Sequence, residues 1–267
     1  MDKRPIGIFD SGIGGLTVFK ELKKLLPGED IIYLGDTARV PYGTKSKDTV
    51  IKFSIQIADF LVRLNVKLIV VACNTSSSCS LSILKRRYNI PVLGVIEPGA
   101  EVAARVTRNL KVGVIGTKAT VSSGVYEKEL ERLNPEIDVI AKSCPLFVPL
   151  VEEGWLKEDV TKMVAKRYLS PLKKKNIDVI VLGCTHYPLL KPVIREVLGK
   201  GVILVDSAIQ TAKAVKEIIS QNKIYNIKKG KGKYRFYVTD EPEIFKKVGS
   251  KILGSSIGNI KKVELGI

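Results

Sequence analysis

The chain has 267 residues, of which 44 are Lys or Arg and 27 are Asp or Glu, so its formal charge at pH 7 is +17. This length allows one large domain or two of ordinary size, and a hydrophobic content of 45% excludes disorder over the whole chain. The absence of a run of 18 apolar residues excludes a helix that crosses a membrane. The first residues do not have the pattern of a secretory signal, so we expect a cytoplasmic protein.

The high positive charge first suggests an anionic partner such as a nucleic acid or a membrane surface. However, 33 of the 44 basic residues are Lys, and the densest run, Lys228–Lys233, is typical of a loop. No helix-turn-helix, zinc-finger or RNA-recognition signature is visible in the sequence. The sequence therefore does not favour nucleic-acid binding, and a Lys-rich surface also fits a heat-adapted protein.

Short β-branched runs alternate with longer amphipathic runs along the chain, which is typical of an α/β protein with parallel sheets. In the N-terminal part the pattern predicts a strand at 6–9, a helix at 14–26, a strand at 31–34, a loop at 35–44, a helix from 46, and strands at 68–71 and 91–95. It then predicts a strand at 112–115, a helix at 122–133, a strand at 137–140, a helix at 158–169, a strand at 179–182, a helix at 188–198, a strand at 202–205 and a helix at 207–220. A weaker strand at 234–238 and a helix at 242–253 complete the chain.

Two stretches of the chain resemble two later stretches. Lys67–Thr75 resembles Asp178–His186, and Ile6–Ser11 resembles Val112–Thr117, with nearly equal offsets. The sequence therefore predicts two pseudo-symmetric α/β domains with mostly parallel sheets, and a ligand site at the carboxyl ends of the strands. We expect the first domain to contain residues 1–97 and 208–267, and the second to contain residues 98–207, with a break at Pro98-Gly99.

The turn from Asp10 to Gly15 follows a strand and opens a helix, as a dinucleotide-binding turn does. Its pattern is GxGG rather than GxGxxG, and the Asp10 carboxylate would repel a pyrophosphate. A Gly-rich turn with Ser11 as a helix cap is the simpler alternative, but it leaves the acid unexplained.

The four cysteines of a cytosolic chain are expected to be free thiols, and a single His with no CxxC pair argues against zinc. Cys73 and Cys184 each follow a buried strand and precede a helix. We expect the helix N-terminus to lower the pKa of both thiols from about 8.5 toward neutral. Cys79 and Cys144 have no such setting, and we interpret both as packing residues.

Thiols in equivalent positions of two related domains suggest an active site with two bases, in which one thiolate removes a proton and the other thiol supplies one on the opposite face. A hydrolase with Cys184 as nucleophile and His186 as base remains an alternative, but it leaves Cys73 unused. A disulfide between the two cysteines is disfavoured by the cytosolic setting.

Polar residues around these cysteines fit a small zwitterion or diacid. The short donors that could hold carboxylates are Ser11, Asn74, Thr75, Thr117 and Thr185. The acids Asp10, Asp36 and Glu152 could receive an ammonium group or tune the thiols, and His186 could transfer a proton near Cys184. The alternatives are that the hydroxyls cap helices and that Asp36 and Glu152 are surface acids.

Six segments together resemble the aspartate/glutamate racemase family, and glutamate racemases in particular. They span nearly the whole chain and are Phe9–Gly15, Gly35–Gly43, Ala72–Ser76, Pro145–Gly154, Leu182–Leu189 and Tyr237–Pro242.

This resemblance implies a two-domain α/β enzyme without cofactor or metal that interconverts L- and D-glutamate in a cleft between its domains, for bacterial peptidoglycan synthesis. It implies that Cys73 deprotonates D-glutamate with help from Asp10, and that Cys184 deprotonates L-glutamate with help from His186. The substrate contacts that it implies are Asp10, Ser11, Tyr42, Gly43, Asn74, Thr75, Thr185 and His186, with Thr117 and Glu152 nearby.

Two other functions remain open at this stage. Aspartate racemases share the two-cysteine arrangement, and one methylene of substrate length changes binding by only about 1–3 kcal/mol. A two-lobed protein that binds an acidic metabolite without reacting is the alternative from another class, although a binder needs neither cysteine. The sequence predicts a small-molecule substrate and no membrane partner, and a homodimer is among the oligomeric states that it allows.

Overall fold

The computed structural model describes residues 2–226 and 230–266, which form two compact units. The first unit contains the residues up to Val95 together with those from Ala208 onward, and the second unit contains Ile96–Ser207. Lys228 and Lys229 of the predicted basic loop lie outside the described residues. None of the helices in the described part of the chain has both the length and the apolar character needed to cross a membrane.

Strands and helices alternate through both units. The strands are β1 (Ile6–Asp10), β2 (Ile31–Gly35), β3 (Leu68–Val71), β4 (Val92–Gly94), β5 (Lys111–Gly116), β6 (Asp138–Ser143), β7 (Val179–Gly183), β8 (Ile203–Val205), β9 (Tyr234–Val238) and β10 (Ile260–Lys262). The helices are α1 (Leu16–Leu25), α2 (Lys47–Arg63), α3 (Asn74–Arg87), α4 (Ile96–Val106), α5 (Lys118–Ser122), α6 (Val125–Leu133), α7 (Phe147–Glu152), α8 (Asp159–Lys174), α9 (Lys191–Leu198), α10 (Ser207–Gln221) and α11 (Pro242–Leu253).

Each unit is built on one sheet. The strand order is β10-β9-β2-β1-β3-β4 in the first unit and β6-β5-β7-β8 in the second, and every strand pair of the described residues is parallel. The four-strand order β2-β1-β3-β4 therefore recurs as β6-β5-β7-β8. This repetition confirms the predicted fold class of two related α/β units with parallel sheets.

The central strands place their carboxyl ends side by side. In the first unit β1 pairs with β3, with Phe9 opposite Val71, and in the second unit β5 pairs with β7, with Gly116 opposite Gly183. All residues of β1, β3 and β7 are buried, as expected for strands covered by helices on both faces. Residues that follow neighbouring strands thus meet at one edge of each sheet.

Two predicted local features differ from the structure. The chain has no break at Pro98-Gly99, because both residues lie in the first turn of α4. Pro is tolerated there, since the backbone N–H groups of a first helical turn have no partner within the helix. The helix predicted at 122–133 is α6, which begins at Val125 after Gly124 with φ of +63°, and a separate helix α5 ends at Ser122.

Several short elements escaped the sequence prediction. Helix α7 has six residues and β10 has three, which is too short for a clear periodic pattern. The predicted loop at 35–44 contains two 3₁₀ turns, and the predicted helix at 188–198 is a 3₁₀ turn at Tyr187–Leu190 followed by α9.

The C-terminal segment completes the sheet of the first unit. Strand β9 pairs with β2, with Ile31 opposite Tyr234, and α11 lies against α1. Gly249 of α11 permits this approach, because a Cβ at this position would lie 2.7 Å from Leu16 Cδ1. At the end of α11, the Lys20 ammonium donates to the Ile252 carbonyl at 3.0 Å.

A buried ion pair joins segments at the amino ends of the strands in the first unit. Lys67, which precedes β3, donates from Nζ to Glu29 Oε2 at 2.6 Å and to the carbonyls of Asp2 and Ile224 at 3.0 and 2.7 Å. Glu29 Oε1 in turn accepts from the Asn226 N–H at 2.9 Å. The pair therefore joins the N-terminal residues, the start of β2 and the segment after α10.

Loss of Lys67 is expected to destabilise the first unit strongly. Lys67→Met leaves the Glu29 carboxylate buried without its counter-ion, and we expect the free energy of unfolding to fall by about 3–5 kcal/mol. The double variant Lys67→Met, Glu29→Met removes both charges and is expected to recover most of this loss in urea unfolding. Lys262→Met, which breaks an exposed pair with Asp240, is the control and should leave the unfolding free energy nearly unchanged. Equal losses in the single and the double variant would contradict the pairing.

Candidate active site

Cys73 lies at the carboxyl edge of the first sheet. It follows β3 directly after Ala72 and is the N-cap residue of α3, where its Sγ accepts from the Ser76 N–H at 3.5 Å. The thiol donates to Ser11 Oγ at 3.6 Å, and Ser11 follows the neighbouring strand β1. The parallel pairing of β1 and β3 thus brings Ser11 and Cys73 together, although they are 62 residues apart.

The turn after β1 is held rigidly next to Cys73. Asp10 is fully buried, and its Oδ2 accepts from the Gly12 N–H at 3.0 Å. The Tyr33 hydroxyl stabilises the turn by donating to the Gly12 carbonyl at 2.9 Å. A Cβ at Gly15 would lie 2.5 Å from the Asp10 Cβ and 2.9 Å from the Tyr33 Oη, so only glycine fits there.

Ser11 is not a helix cap. Helix α1 begins at Leu16, five residues later, and its N-cap residue is Gly15, which makes no side-chain hydrogen bond. The capping alternative for Ser11 is therefore wrong, and its hydroxyl contacts the Cys73 thiol instead.

The pKa of Cys73 is shifted in the opposite direction from the sequence prediction. Burial of the thiol, followed by the negative charge of Asp10, raises the pKa to about 11. Hydrogen bonds of the sulfur with Ser76 and Ser11 lower the pKa by a smaller amount. Because desolvation outweighs the helix N-terminus, the expectation of a near-neutral pKa at Cys73 is wrong.

The loop after β2 carries Tyr42 and Gly43 and contains a buried acid. Asp36 is fully buried, so the surface alternative for this residue is wrong. Its carboxylate pairs with Arg39 at 2.7 Å and accepts a hydrogen bond from the Tyr42 hydroxyl. Burial and the Asp36 charge raise the pKa of Tyr42 far above its usual range. The Tyr42 ring packs in a cluster with Val50, Cys73 and Cys79.

Asn74 and Thr75 form the start of α3, directly after Cys73. Both side chains are buried, each with 2% of its surface exposed. Their backbone lies in the first turn of the helix, where N–H groups and the helix dipole favour a bound anion. The first unit thus brings together Asp10, Ser11, Cys73, Asn74 and Thr75 at one sheet edge.

The equivalent edge of the second unit carries Cys184. This residue follows β7 immediately and is buried, with 6% of its surface exposed. Its Sγ lies 3.8 Å from His186 Nδ1, and His186 Nε2 lies 3.2 Å from Glu152 Oε1. Glu152 ends α7, and its side chain is 36% exposed. The second unit therefore brings Cys184, His186 and Glu152 into one chain of contacts.

Contacts with Cys184 and Glu152 favour the protonated form of His186. Burial alone would lower the pKa of this imidazole, but the hydrogen bonds and negative charges of Cys184 and Glu152 raise it to about 10. In the imidazolium both ring nitrogens carry a proton, so Nδ1 can donate to Cys184 and Nε2 can donate to Glu152.

The remaining predicted residues of the second unit are also buried. Thr185, between Cys184 and His186, is 6% exposed, and Thr117 follows β5, where its hydroxyl accepts from the Thr120 N–H at 3.2 Å and caps α5. All four cysteines are free thiols, as expected. Cys79 and Cys144 lie in apolar clusters, in agreement with a packing role.

Two tyrosines that support the site were missed. Tyr33 lies under the Asp10 turn, and Tyr187 donates from its hydroxyl to the Cys144 carbonyl at 2.8 Å while packing edge-on against Phe147 of α7. The signal for Tyr33 was its phenolic group in an otherwise aliphatic buried strand, because a buried hydroxyl needs a partner. Within residues 2–226 and 230–266, no group of three or more His, Cys, Asp or Glu side chains could hold a metal ion.

Known proteins similar to this chain are racemases. The family model described as Asp/Glu/Hydantoin racemase matches residues 6–215. A glutamate racemase from Geobacter metallireducens is 53% identical over 265 residues, which cover 99% of this chain and 98% of the relative.

Solved structures agree with the sequence comparison. The glutamate racemase of Francisella tularensis, solved in complex with D-glutamate, has a TM-score of 0.94 and 44% identity, with 99% of both chains covered. The glutamate racemase of Thermus thermophilus, solved in complex with beta-chloro-D-alanine, has a TM-score of 0.90 and 47% identity, also with 99% of both chains covered. The resemblance to glutamate racemases and the prediction of an amino-acid racemase are confirmed, and the chain belongs to the Asp/Glu/Hydantoin racemase family.

Proposed function

We propose that this racemase interconverts L- and D-glutamate without a cofactor, using residues of both units, and supplies D-glutamate for bacterial peptidoglycan in the cytoplasm. The observation that carries the proposal is the matched placement of Cys73 and Cys184 at equivalent edges of two related sheets, with oppositely charged neighbours. A carboxylate accompanies Cys73, whereas an imidazole accompanies Cys184.

The proposed reaction moves one proton onto the substrate and one proton off it. With L-glutamate, the Cys184 thiolate removes the α-proton and the Cys73 thiol delivers its own proton to the opposite face of the carbanion-like transition state. With D-glutamate the roles are exchanged. Each turnover leaves one sulfur protonated and the other deprotonated, so the reaction balances without an added oxidant or reductant.

Charges around the thiols support this division of roles. Burial and the negative charge of Asp10 raise the pKa of Cys73 to about 11, so this thiol is suited to deliver a proton. The imidazole of His186 lies 3.8 Å from the Cys184 sulfur, where it can exchange a proton with it. Cys73 is thus suited to deliver a proton while Cys184 removes one, as the reaction of L-glutamate requires.

The surrounding residues are suited to hold an acidic amino acid. The first turn of α3 offers N–H groups to a carboxylate, with Ser11 and Thr75 as hydroxyl donors nearby and Thr185 as a donor in the second unit. The Tyr42 hydroxyl is already bound to Asp36, so we assign the substrate contact of the Tyr42–Gly43 turn to its backbone. The net charge of +17 favours the approach of an anionic substrate.

Loss of either thiol is expected to slow racemisation strongly. Cys73→Ser and Cys184→Ser each remove one acid–base group, and we expect kcat/KM to fall by about 100- to 10,000-fold in both directions. Circular dichroism of L- and D-glutamate solutions measures both rates. Cys79→Ala, which changes a packing thiol, is the control and is expected to keep wild-type activity. Full activity of either serine variant would contradict the two-base reaction.

Deuterium exchange at Cα tests the function directly and separates the two bases. In D₂O without added cofactor, the wild-type protein is expected to place deuterium in the inverted enantiomer, because the donating thiol exchanges with solvent. Cys73→Ser retains only the base that we assign to L-glutamate, so residual exchange is expected in L-glutamate and not in D-glutamate.

The mirror result is expected for Cys184→Ser, with residual exchange in D-glutamate alone. Mass spectrometry of the separated enantiomers measures the label, and aspartate serves as the competing substrate. No exchange by the wild-type protein would reject the function, and faster exchange into aspartate than into glutamate would reject the substrate.

The pH profile should report the protonation of His186. Because the pKa of His186 is raised to about 10, kcat/KM is expected to decrease on the alkaline side as the pH passes this value and the imidazolium is lost. Glu152→Gln removes a negative charge that raises the pKa, so the alkaline limb is expected to move to lower pH by about one unit. Glu153→Gln, at an exposed neighbouring position, is the control. An unchanged profile in Glu152→Gln would show that Glu152 does not set the charge of His186.

A further inference from the structure

The carboxylate of Asp36 is hydrogen-bonded to side chains of the first unit. Its Oδ1 accepts from the Thr239 hydroxyl at 2.9 Å, and its Oδ2 accepts from Arg39 Nε at 2.7 Å and from the Tyr42 hydroxyl. Both oxygens therefore have protein partners. This arrangement fits a structural role for Asp36 better than the binding of a substrate ammonium group.

Thr239 joins the loop after β2 to the C-terminal segment. It follows β9 directly, and its hydroxyl also accepts from the Ala38 N–H at 2.8 Å. A second hydroxyl repeats the pattern, because Thr37 Oγ1 donates to the Asp240 carbonyl at 2.5 Å and accepts from the Asp240 N–H at 2.8 Å. We call these four hydrogen bonds the threonine clamp.

The threonine clamp acts on the loop that carries the Tyr42–Gly43 turn. Asp36 connects the threonine clamp to Tyr42, because its carboxylate accepts a hydrogen bond from the Tyr42 hydroxyl. The ring of Tyr42 packs in the cluster that contains Cys73. Arg39 extends the constraint, since its Nη1 donates to Gln56 Oε1 at 2.5 Å and the Gln56 amide donates to the Gly266 carbonyl at 2.8 Å. The loop is thus fixed by residues some 200 positions later in the chain.

We propose that Thr239 is a positioning residue for substrate binding, because its hydroxyl, through Asp36 and Ala38, holds the loop that presents Tyr42 and Gly43 to glutamate. This inference rests on the proposed function. The threonine clamp contains neither thiol nor a group in contact with one, so it contributes to substrate affinity and not to proton transfer. Weakening it should raise KM and leave kcat nearly constant.

A pair of variants separates the hydroxyl of Thr239 from its bulk. Thr239→Val keeps the shape of the side chain but leaves Asp36 Oδ1 and the Ala38 N–H without this partner, and we expect the KM for both enantiomers to rise about tenfold. Thr239→Ser retains the hydroxyl and is expected to restore the wild-type KM. In both variants kcat should stay within about twofold of wild type.

The control is Thr161→Val in α8 of the second unit. Thr161 is fully buried and donates to the Trp155 carbonyl at 2.9 Å, so the change removes a comparable hydroxyl away from the loop. We expect its KM to be unchanged. If Thr239→Val does not fold, Thr37→Val breaks the other half of the threonine clamp and is expected to raise KM in the same way.

Amide hydrogen exchange provides a readout that does not depend on catalysis. The peptide that contains Ala38 is expected to exchange faster in Thr239→Val than in wild type or Thr239→Ser. Wild-type KM in Thr239→Val, or a KM that Thr239→Ser does not rescue, would overturn the inference. Absence of racemisation by the wild-type protein would reject the proposed function instead, so the two failures are distinguishable.

Discussion

Parallel pairing of the central strands is the constraint on which the candidate active site depends. Because β1 lies beside β3, Asp10 and Ser11 reach the same edge as Cys73, although they come from separate parts of the chain. The pairing of β5 with β7 places Thr117 and Cys184 in the same way. Strands β1, β3 and β7 are buried at every position, so their packing fixes the register that brings these residues together.

The two units share this plan but surround their thiols differently. The position two residues after the cysteine is Thr75 in the first unit and His186 in the second, and the end of the first strand is Asp10 in one and Gly116 in the other. A single substitution at each of these places gives one sulfur an acidic neighbour and the other a basic one. The repeated fold thus places the two thiols in equivalent positions, and the residues that differ between the units give each thiol a different neighbour.

Periodicity and the internal repeat were sufficient to predict the parallel sheets and the placement of both cysteines after strands. The pKa of Cys73 could not be predicted, because it depends on how completely the thiol and Asp10 are buried, and burial follows from packing between distant segments. The hydrogen-bond partners of Asp36 could not be predicted either, because Thr239 lies 203 residues later in the chain. The break expected at Pro98-Gly99 is absent, because proline is tolerated in the first turn of a helix as well as in a loop.

The division of the chain into a continuous and an interrupted unit has a consequence for biosynthesis. Ile96–Ser207 is one uninterrupted stretch, so the second unit can fold on the ribosome as soon as that stretch has emerged. The sheet of the first unit cannot be completed until β9 and β10 have been synthesised. Until then β2 has no neighbouring strand on the side that β9 occupies in the folded protein. The apolar edge of β2 is therefore an unpaired strand edge, of the kind that can pair with another chain, until the C-terminal segment has been synthesised.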